Sequence, residues 1–91
     1  MFKMDVTVVN PTGLHARPAS DFVSKAKSYE SKISIRRSGT DVPAKNAKSI
    51  VVVLAMGLAQ GNSVELIAEG PDEEKAVTEL AELIRSGFGE I

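Results

Sequence analysis

The chain contains one histidine, His15, and it stands inside the run Gly-Leu-His-Ala-Arg-Pro-Ala-Ser at residues 13–20. Imidazole is a nucleophile near neutral pH and one of the side chains that form covalent intermediates. Two places on, Arg17 brings a guanidinium whose planar fork matches phosphate oxygens. Pro18 suits the first turn of a helix, where the N–H it lacks would have no helical partner. A helix beginning near Ala16 would aim its first unpaired N–H groups and its partial positive charge at an anion held by His15. Phosphate is the anion that fits these groups, and Gly13 lets the backbone pass close by. These residues describe a phosphorylatable histidine with charge stabilisation around it. They equally describe a surface or capping histidine, a solvated arginine and a proline that starts a helix, which is the commoner use of such residues.

Other chemistries lack the residues they need. Cysteine is absent, which removes disulfides, thiolate zinc sites and thiol catalysis. A lone histidine whose nearest carboxylates are Asp5 and Asp21 makes no ligand set, so neither a metal nor a cofactor is expected. A free-standing phosphatase or mutase would need further acid–base groups, and the motif offers none. Eleven basic against twelve acidic residues leave no basic excess for nucleic acid. At 91 residues the chain is expected to form a single domain over 1–91, with a core of modest size. The opening residues lack the apolar stretch of a signal peptide, and the longest apolar-rich run, Ile50 to Ala59, is about half the ~20 residues that span a bilayer. A soluble cytoplasmic protein without membrane insertion is expected.

The elements that must position His15 show in the periodicity. Phe2, Met4, Val6 and Val8 alternate with polar residues as a half-buried strand, which Asn10-Pro-Thr-Gly13 ends. From Ala16 to Tyr29, Ala19, Phe22, Val23, Ala26 and Tyr29 recur at three- and four-residue spacing, predicting an amphipathic helix. Ile33 and Ile35 mark a second strand, and Ser38-Gly39 a turn into a weaker third over Thr40 to Lys45, which Pro43 confines to an edge or bulge. Residues 49–57 read two ways: three consecutive valines favour strand, while Ser49 as a cap and Gly57 as a stop favour a short helix, the reading adopted. As plain structure, Ser49 is a cap and Ile50–Leu54 buried core. Val64, Leu66 and Ala68 alternate as a fourth strand. Asp72 can cap a last helix whose first turn holds Glu73 and Glu74, whose end holds Arg85, and whose apolar stripe is Ala76, Val77, Leu80, Leu83, Ile84 and Phe88. The order βαββαβα predicts an α+β domain with helices on one face of a four-stranded sheet.

At His15 the segment Gly-Leu-His-Ala-Arg-Pro-Ala closely resembles the active-site signature of HPr, the histidine phosphocarrier family of the phosphoenolpyruvate-dependent sugar phosphotransferase system. The resemblance covers essentially the whole chain, with Lys48-Ser49-Ile50 at the second helix and Gly61 before the fourth strand. It implies an open-faced β-sandwich, a four-stranded antiparallel sheet with three helices on one side, and settles residues 49–57 as a short helix. It implies that His15 takes a phosphoryl group on Nδ1 from phosphorylated Enzyme I and passes it to an Enzyme IIA domain, a carrier's role and not an enzyme's. Arg17 would neutralise the phosphate, which the amides of Ala16 and Arg17 would hold. Ile50, Val51 and Leu54 would join Arg17 and Ser20 in a small apolar docking patch ringed by Lys27 and Lys48. Ser49 stands where many family members are phosphorylated by a dedicated HPr kinase/phosphorylase.

The chain departs from the sugar-branch pattern after Ser49, where Val51, Val52 and Leu54 replace the usual methionines and glycine, and in a Thr40–Ala47 loop longer by a few residues. The stretch from Gly70 to Phe88 is similar to the nitrogen-branch phosphocarrier, so a specialised regulatory paralogue stays open. A ferredoxin-like small-molecule sensor could share the first six elements, but has no use for His-Ala-Arg-Pro at a helix start. A carrier that offers one face to two partners in turn is expected to be a monomer.

Overall fold

Alternating apolar and polar residues in β1, Phe2–Thr7, turn one side of the strand toward the core and the other toward solvent in the computed structural model, which describes residues 1–91. The last strand, Ser63–Glu69, runs antiparallel to β1 from Phe2↔Ala68 to Thr7↔Ser63. On its other side it pairs with β2, Lys32–Arg37, from Lys32↔Glu69 to Arg37↔Val64. The edge beyond β2 is closed by β3, Lys45–Asn46, so that with the last strand numbered β4 the sheet order is β1-β4-β2-β3. One face buries Val6, Ile33, Ile35, Val64, Leu66 and Ala68 beneath the helices. The other is open and polar, with Arg36 bridging to Glu65 on the neighbouring strand at 2.6 Å.

The third strand is far shorter than its predicted span over Thr40–Lys45. Gly39 takes a positive φ of 75° and Thr40 Oγ1 donates back to Arg37 O at 2.8 Å, so the turn forms as expected. Pro43 has no N–H for a ladder, and Asp41, Val42 and Pro43 remain exposed. Pairing resumes only where Ala47 is buried and donates to Ile33 O at 3.0 Å.

Three helices cover the inner face. In α1, Ala16–Lys27, the buried stripe is Pro18, Ala19, Phe22, Val23 and Ala26. It stops short of Tyr29, the predicted end, because both the amide and the hydroxyl of Ser28 turn back to Lys25 O. Tyr29 is buried all the same, its hydroxyl donating to Glu79. The third helix, α3, Glu73–Arg85, buries Ala76, Val77, Leu80, Ala81 and Ile84, while Leu83 is half-buried. Phe88 lies outside it, in a 3₁₀ turn over Gly87–Gly89, because Gly87 and Phe88 both take positive φ and break the helical path.

The short α2, Ile50–Ala55, resolves the ambiguity of the valine run as helix. A six-residue helix has little stability of its own, and only Val53 is buried, so its ends must be held. Ser49 Oγ accepts from Val52 N at 3.4 Å, Gly57 at φ 62° turns the chain away, and Arg37 donates to Met56 O at 2.7 Å.

Asp72 does not cap α3 through its side chain. Its carboxylate instead accepts from Ser31 N at 2.9 Å, from Glu30 N at 3.0 Å and from the Ser31 hydroxyl, joining the turn before β2 to the start of α3. The Ser31 hydroxyl, and then the Glu30 amide, hold the Asp72 carboxyl below its ordinary range. A carboxyl depressed in the folded state stabilises the fold above its unfolded value, about 3.9, and loses that contribution as pH falls through the folded value. Melts taken from pH 7 down to pH 2 should therefore show an acid limb that Asp72→Asn flattens. Parallel acid limbs would remove Asp72 from the acid response.

Candidate functional site

The loop from β1 to α1 is anchored before it reaches His15. Val8 donates to Asn62 O and accepts from Gly61 N, each at 2.8 Å, which ties the exit of β1 to the turn before β4. Asn10 is fully buried, with Nδ2 donating to Gly13 O at 2.9 Å and its backbone carbonyl accepting from Gly13 N at 3.1 Å. Gly13 has φ 72°, and a Cβ there would fall 2.4 Å from Leu58 O, so no other residue fits without moving that loop. The next amide, Leu14 N, donates to the same Leu58 O at 3.0 Å, and the Leu14 side chain is buried in the core.

His15 follows as the N-cap of α1, in extended conformation at φ −131° and ψ 162°, half-buried, with its side chain making no capping bond. Ala16 takes φ 51°, the left-handed region, at a cost on the order of 1–2 kcal/mol for a residue with a Cβ. The right-handed helical path thus starts at Arg17, one residue later than the sequence places it. The peptides around Ala16 and Arg17 are exposed, and none of the loop or cap hydrogen bonds uses their amides. They are free donors at the positive end of a twelve-residue helix. Arg17 is exposed, and the ion pairs of the molecule all involve other residues. An imidazole, two free amides and an uncommitted guanidinium therefore belong to one helix start, on an open surface. A recess of about 180 Å³ lies elsewhere, between Arg37, Val42, Pro43 and Met56.

Ser20 is exposed one turn along α1, and Lys27 is exposed at its far end. Packed beside α1, the second helix leaves Ile50 36%, Val51 73% and Leu54 40% exposed, so these are surface and not the core that the plain reading gives them. Lys48 is not a solvated charge: its ammonium donates to Tyr29 O at 2.7 Å, a cation at the carbonyl end of α1.

Sequence reasoning does not reach Thr12 and Glu90. The Glu90 carboxylate accepts from Asn10 Nδ2 at 3.0 Å and Thr12 N at 3.2 Å, bringing the segment after α3 onto the loop that leads to His15. No local pattern joins residues so far apart in the chain; only the turn signal at residues 10–13 hints that the loop needs support.

Comparisons with known proteins point the same way as the geometry. The family model described as "PTS HPr component phosphorylation site" matches residues 2–86. The phosphocarrier protein HPr of Buchnera aphidicola subsp. Acyrthosiphon pisum is 46% identical over 81 residues, covering 89% of this chain and 92% of that protein. That of Borreliella burgdorferi is 44% identical over 86 residues, covering 94% of this chain and 96% of its own. The crystal structure of HPr-C-His from Thermoanaerobacter tengcongensis superposes with a TM-score of 0.92 at 45% identity, covering 100% of this chain and 99% of that one.

Proposed function

Since the chain belongs to the HPr family of phosphotransferase-system phosphocarriers, we propose that His15 accepts a phosphoryl group from phosphorylated Enzyme I and passes it to an Enzyme IIA domain. The observation that carries this reading is the position of His15 as an uncommitted N-cap imidazole beside two free amides and Arg17. In the acceptance step the Nδ1 lone pair attacks phosphorus, the bond from phosphorus to the donor breaks, and that electron pair leaves with the donor. Charge on the three equatorial oxygens meets the Ala16 and Arg17 amides and the Arg17 guanidinium. Transfer onward reverses these roles. With the phosphoryl group held on an open surface, a partner's imidazole can approach without any lid having to move.

The exposed Ile50, Val51 and Leu54 of α2, together with Ser20 and Lys27 on the neighbouring α1 and Lys48 before α2, supply the docking patch in this reading. A relay needs contacts that form and release quickly, which a small patch steered by charge provides. The unit of function in this reading is one domain over 1–91, acting as a monomer in the cytoplasm; the continuous core supports the single domain. Mixing the protein with Enzyme I and labelled phosphoenolpyruvate tests the reading. Acid-labile label on the chain is expected, and its absence would overturn the assignment.

Ser49 is proposed as a position for regulation by an HPr kinase/phosphorylase. Phosphoserine there would bring about −1.5 to −2 charges to the start of α2, beside Ile50 and Val51. The helix start favours a negative charge, while a partner surface that accepts Lys27 and Lys48 does not. Ser49→Asp should therefore keep its melting temperature and receive phosphate more slowly, through slower association. Ser49→Ala should transfer normally and lose only about 0.5 kcal/mol of stability, since the capping bond is long at 3.4 Å. Equal acceptance rates for the two variants would leave Ser49 as a helix cap alone.

A further inference from the structure

We infer that Glu90 is a positioning residue for phosphoryl transfer, its carboxylate clamping the loop that sets the backbone of His15 and Ala16. The inference rests on the assignment of His15 as the phosphate acceptor. Glu90 belongs to neither the histidine motif nor α2, and it makes no contact with the docking residues in the hydrogen-bond network.

The clamp works through one amide nitrogen. Asn10 Nδ2 spends one hydrogen on Gly13 O at 2.9 Å and the other on Glu90 Oε1 at 3.0 Å. Asn10 is fully buried, and its Oδ1 has no hydrogen-bond partner. A buried acceptor left unpaired is unfavourable, so this orientation of the amide is kept by the two acceptors that its nitrogen satisfies. Without Glu90, one buried N–H also goes unpaired, and the orientation that grips Gly13 O loses half its support. The same carboxylate oxygen accepts from Thr12 N at 3.2 Å, so the loop is held at its side chain and its backbone together. The Asn10 amide and the Thr12 donors also draw the Glu90 carboxyl below its ordinary range, keeping it a charged acceptor.

The clamp reaches the site through Gly13 and Leu14. Gly13 is pressed between Asn10 and Leu58 O, Leu14 is fixed by Leu58 O and by burial, and His15 and Ala16 follow directly. Ala16 persists at φ 51° only if its surroundings over-determine it. On the far side Pro18 and Ala19 are buried in α1. On the near side the hold comes from Leu58 and from Glu90. Gly87, where the segment turns back, is buried, and Glu90 N donates to Gly87 O at 2.9 Å, which closes the turn that carries Glu90. Freeing the loop lets Ala16 relax and moves the two amides away from the phosphoryl oxygens.

The test compares the natural chain, Glu90→Ala and Glu90→Gln as acceptors with two donors. One is phosphorylated Enzyme I. The other is phosphoramidate, a small donor whose P–N bond breaks as the imidazole attacks, ammonia leaving with a proton from solvent. Glu90→Ala should lower kcat roughly 5- to 20-fold with both donors and leave the KM for Enzyme I unchanged, the size expected when reacting groups shift by a fraction of an ångström. Glu90→Gln keeps an oxygen acceptor for both donors and should restore the rate. Amide exchange at Thr12, Gly13 and Leu14 should quicken in Glu90→Ala while amides in α3 stay protected. Wild-type kcat in Glu90→Ala overturns the inference, as does a loss confined to KM or to the Enzyme I donor, and so does a Glu90→Gln as slow as Glu90→Ala. A natural chain that takes no label from Enzyme I marks failure of the His15 assignment instead.

Discussion

His15→Ala, mixed with Enzyme I and labelled phosphoenolpyruvate, will take up no acid-labile phosphate and will melt with the natural chain. The loss is complete because the chain has no second imidazole to receive the group. Stability is spared because the His15 side chain is half-buried and makes no capping hydrogen bond, while the hold on this loop lies with Leu14, Gly13 and Asn10. Extended backbone at φ −131° suits alanine as well as histidine. Acid-labile label on His15→Ala would move the acceptor elsewhere. A collapse of the melting temperature would show that the ring carries structural weight that its contacts do not reveal.

Substitutions at Arg17 form the second large effect. Arg17→Lys should slow acceptance about tenfold, since an ammonium keeps the charge but loses the fork that meets two phosphate oxygens at once. Arg17→Glu should slow it by roughly 10²- to 10³-fold, the scale on which removing a preorganised donor from a developing anion is felt. Inverting the charge also sets a carboxylate against the incoming phosphoryl group. Neither variant should alter the melting temperature by much, because Arg17 is exposed and takes part in none of the ion pairs. Stopped-flow or quench measurements with phosphorylated Enzyme I give the rates. Equal rates for the natural chain and Arg17→Glu would mean that the Ala16 and Arg17 amides at the helix start suffice alone.

The tail beyond α3 and the loop before α1 show why stability and transfer can separate in this protein. The core is shared by all three helices and the sheet, so most of the stability lies away from the proposed phosphate site. The site is made of backbone groups and solvent-facing side chains held at a few points. Changes at those points are therefore expected to move transfer more than the fold.

Much was legible before any tertiary contact is considered, because it depends on neighbours in the chain. Alternation in Phe2–Val8 and Val64–Ala68 and the three-and-four spacing from Ala19 to Ala26 specify strand and helix by putting apolar groups on one side. The types and order of His15, Arg17 and Pro18 put a nucleophile and a phosphate-matching cation on a single helix start, and the resemblance of the whole motif to the HPr signature is what sets that reading above a plain capping histidine. Other features depend on contacts between distant segments. The left-handed Ala16 is held by Leu58 and Asn10, Asp72 turns from capping its own helix to the amides of Glu30 and Ser31, and Lys48 gives its charge to Tyr29 O. β3 shrinks to Lys45–Asn46 because the burial of Ala47, not the turn at Gly39, sets where pairing begins. Glu90 meets Thr12 only after α3 has packed along β1 and β4 and the chain has turned at Gly87. Local periodicity decides which face a residue shows, and only the closing of long loops in the folded chain decides what that face meets.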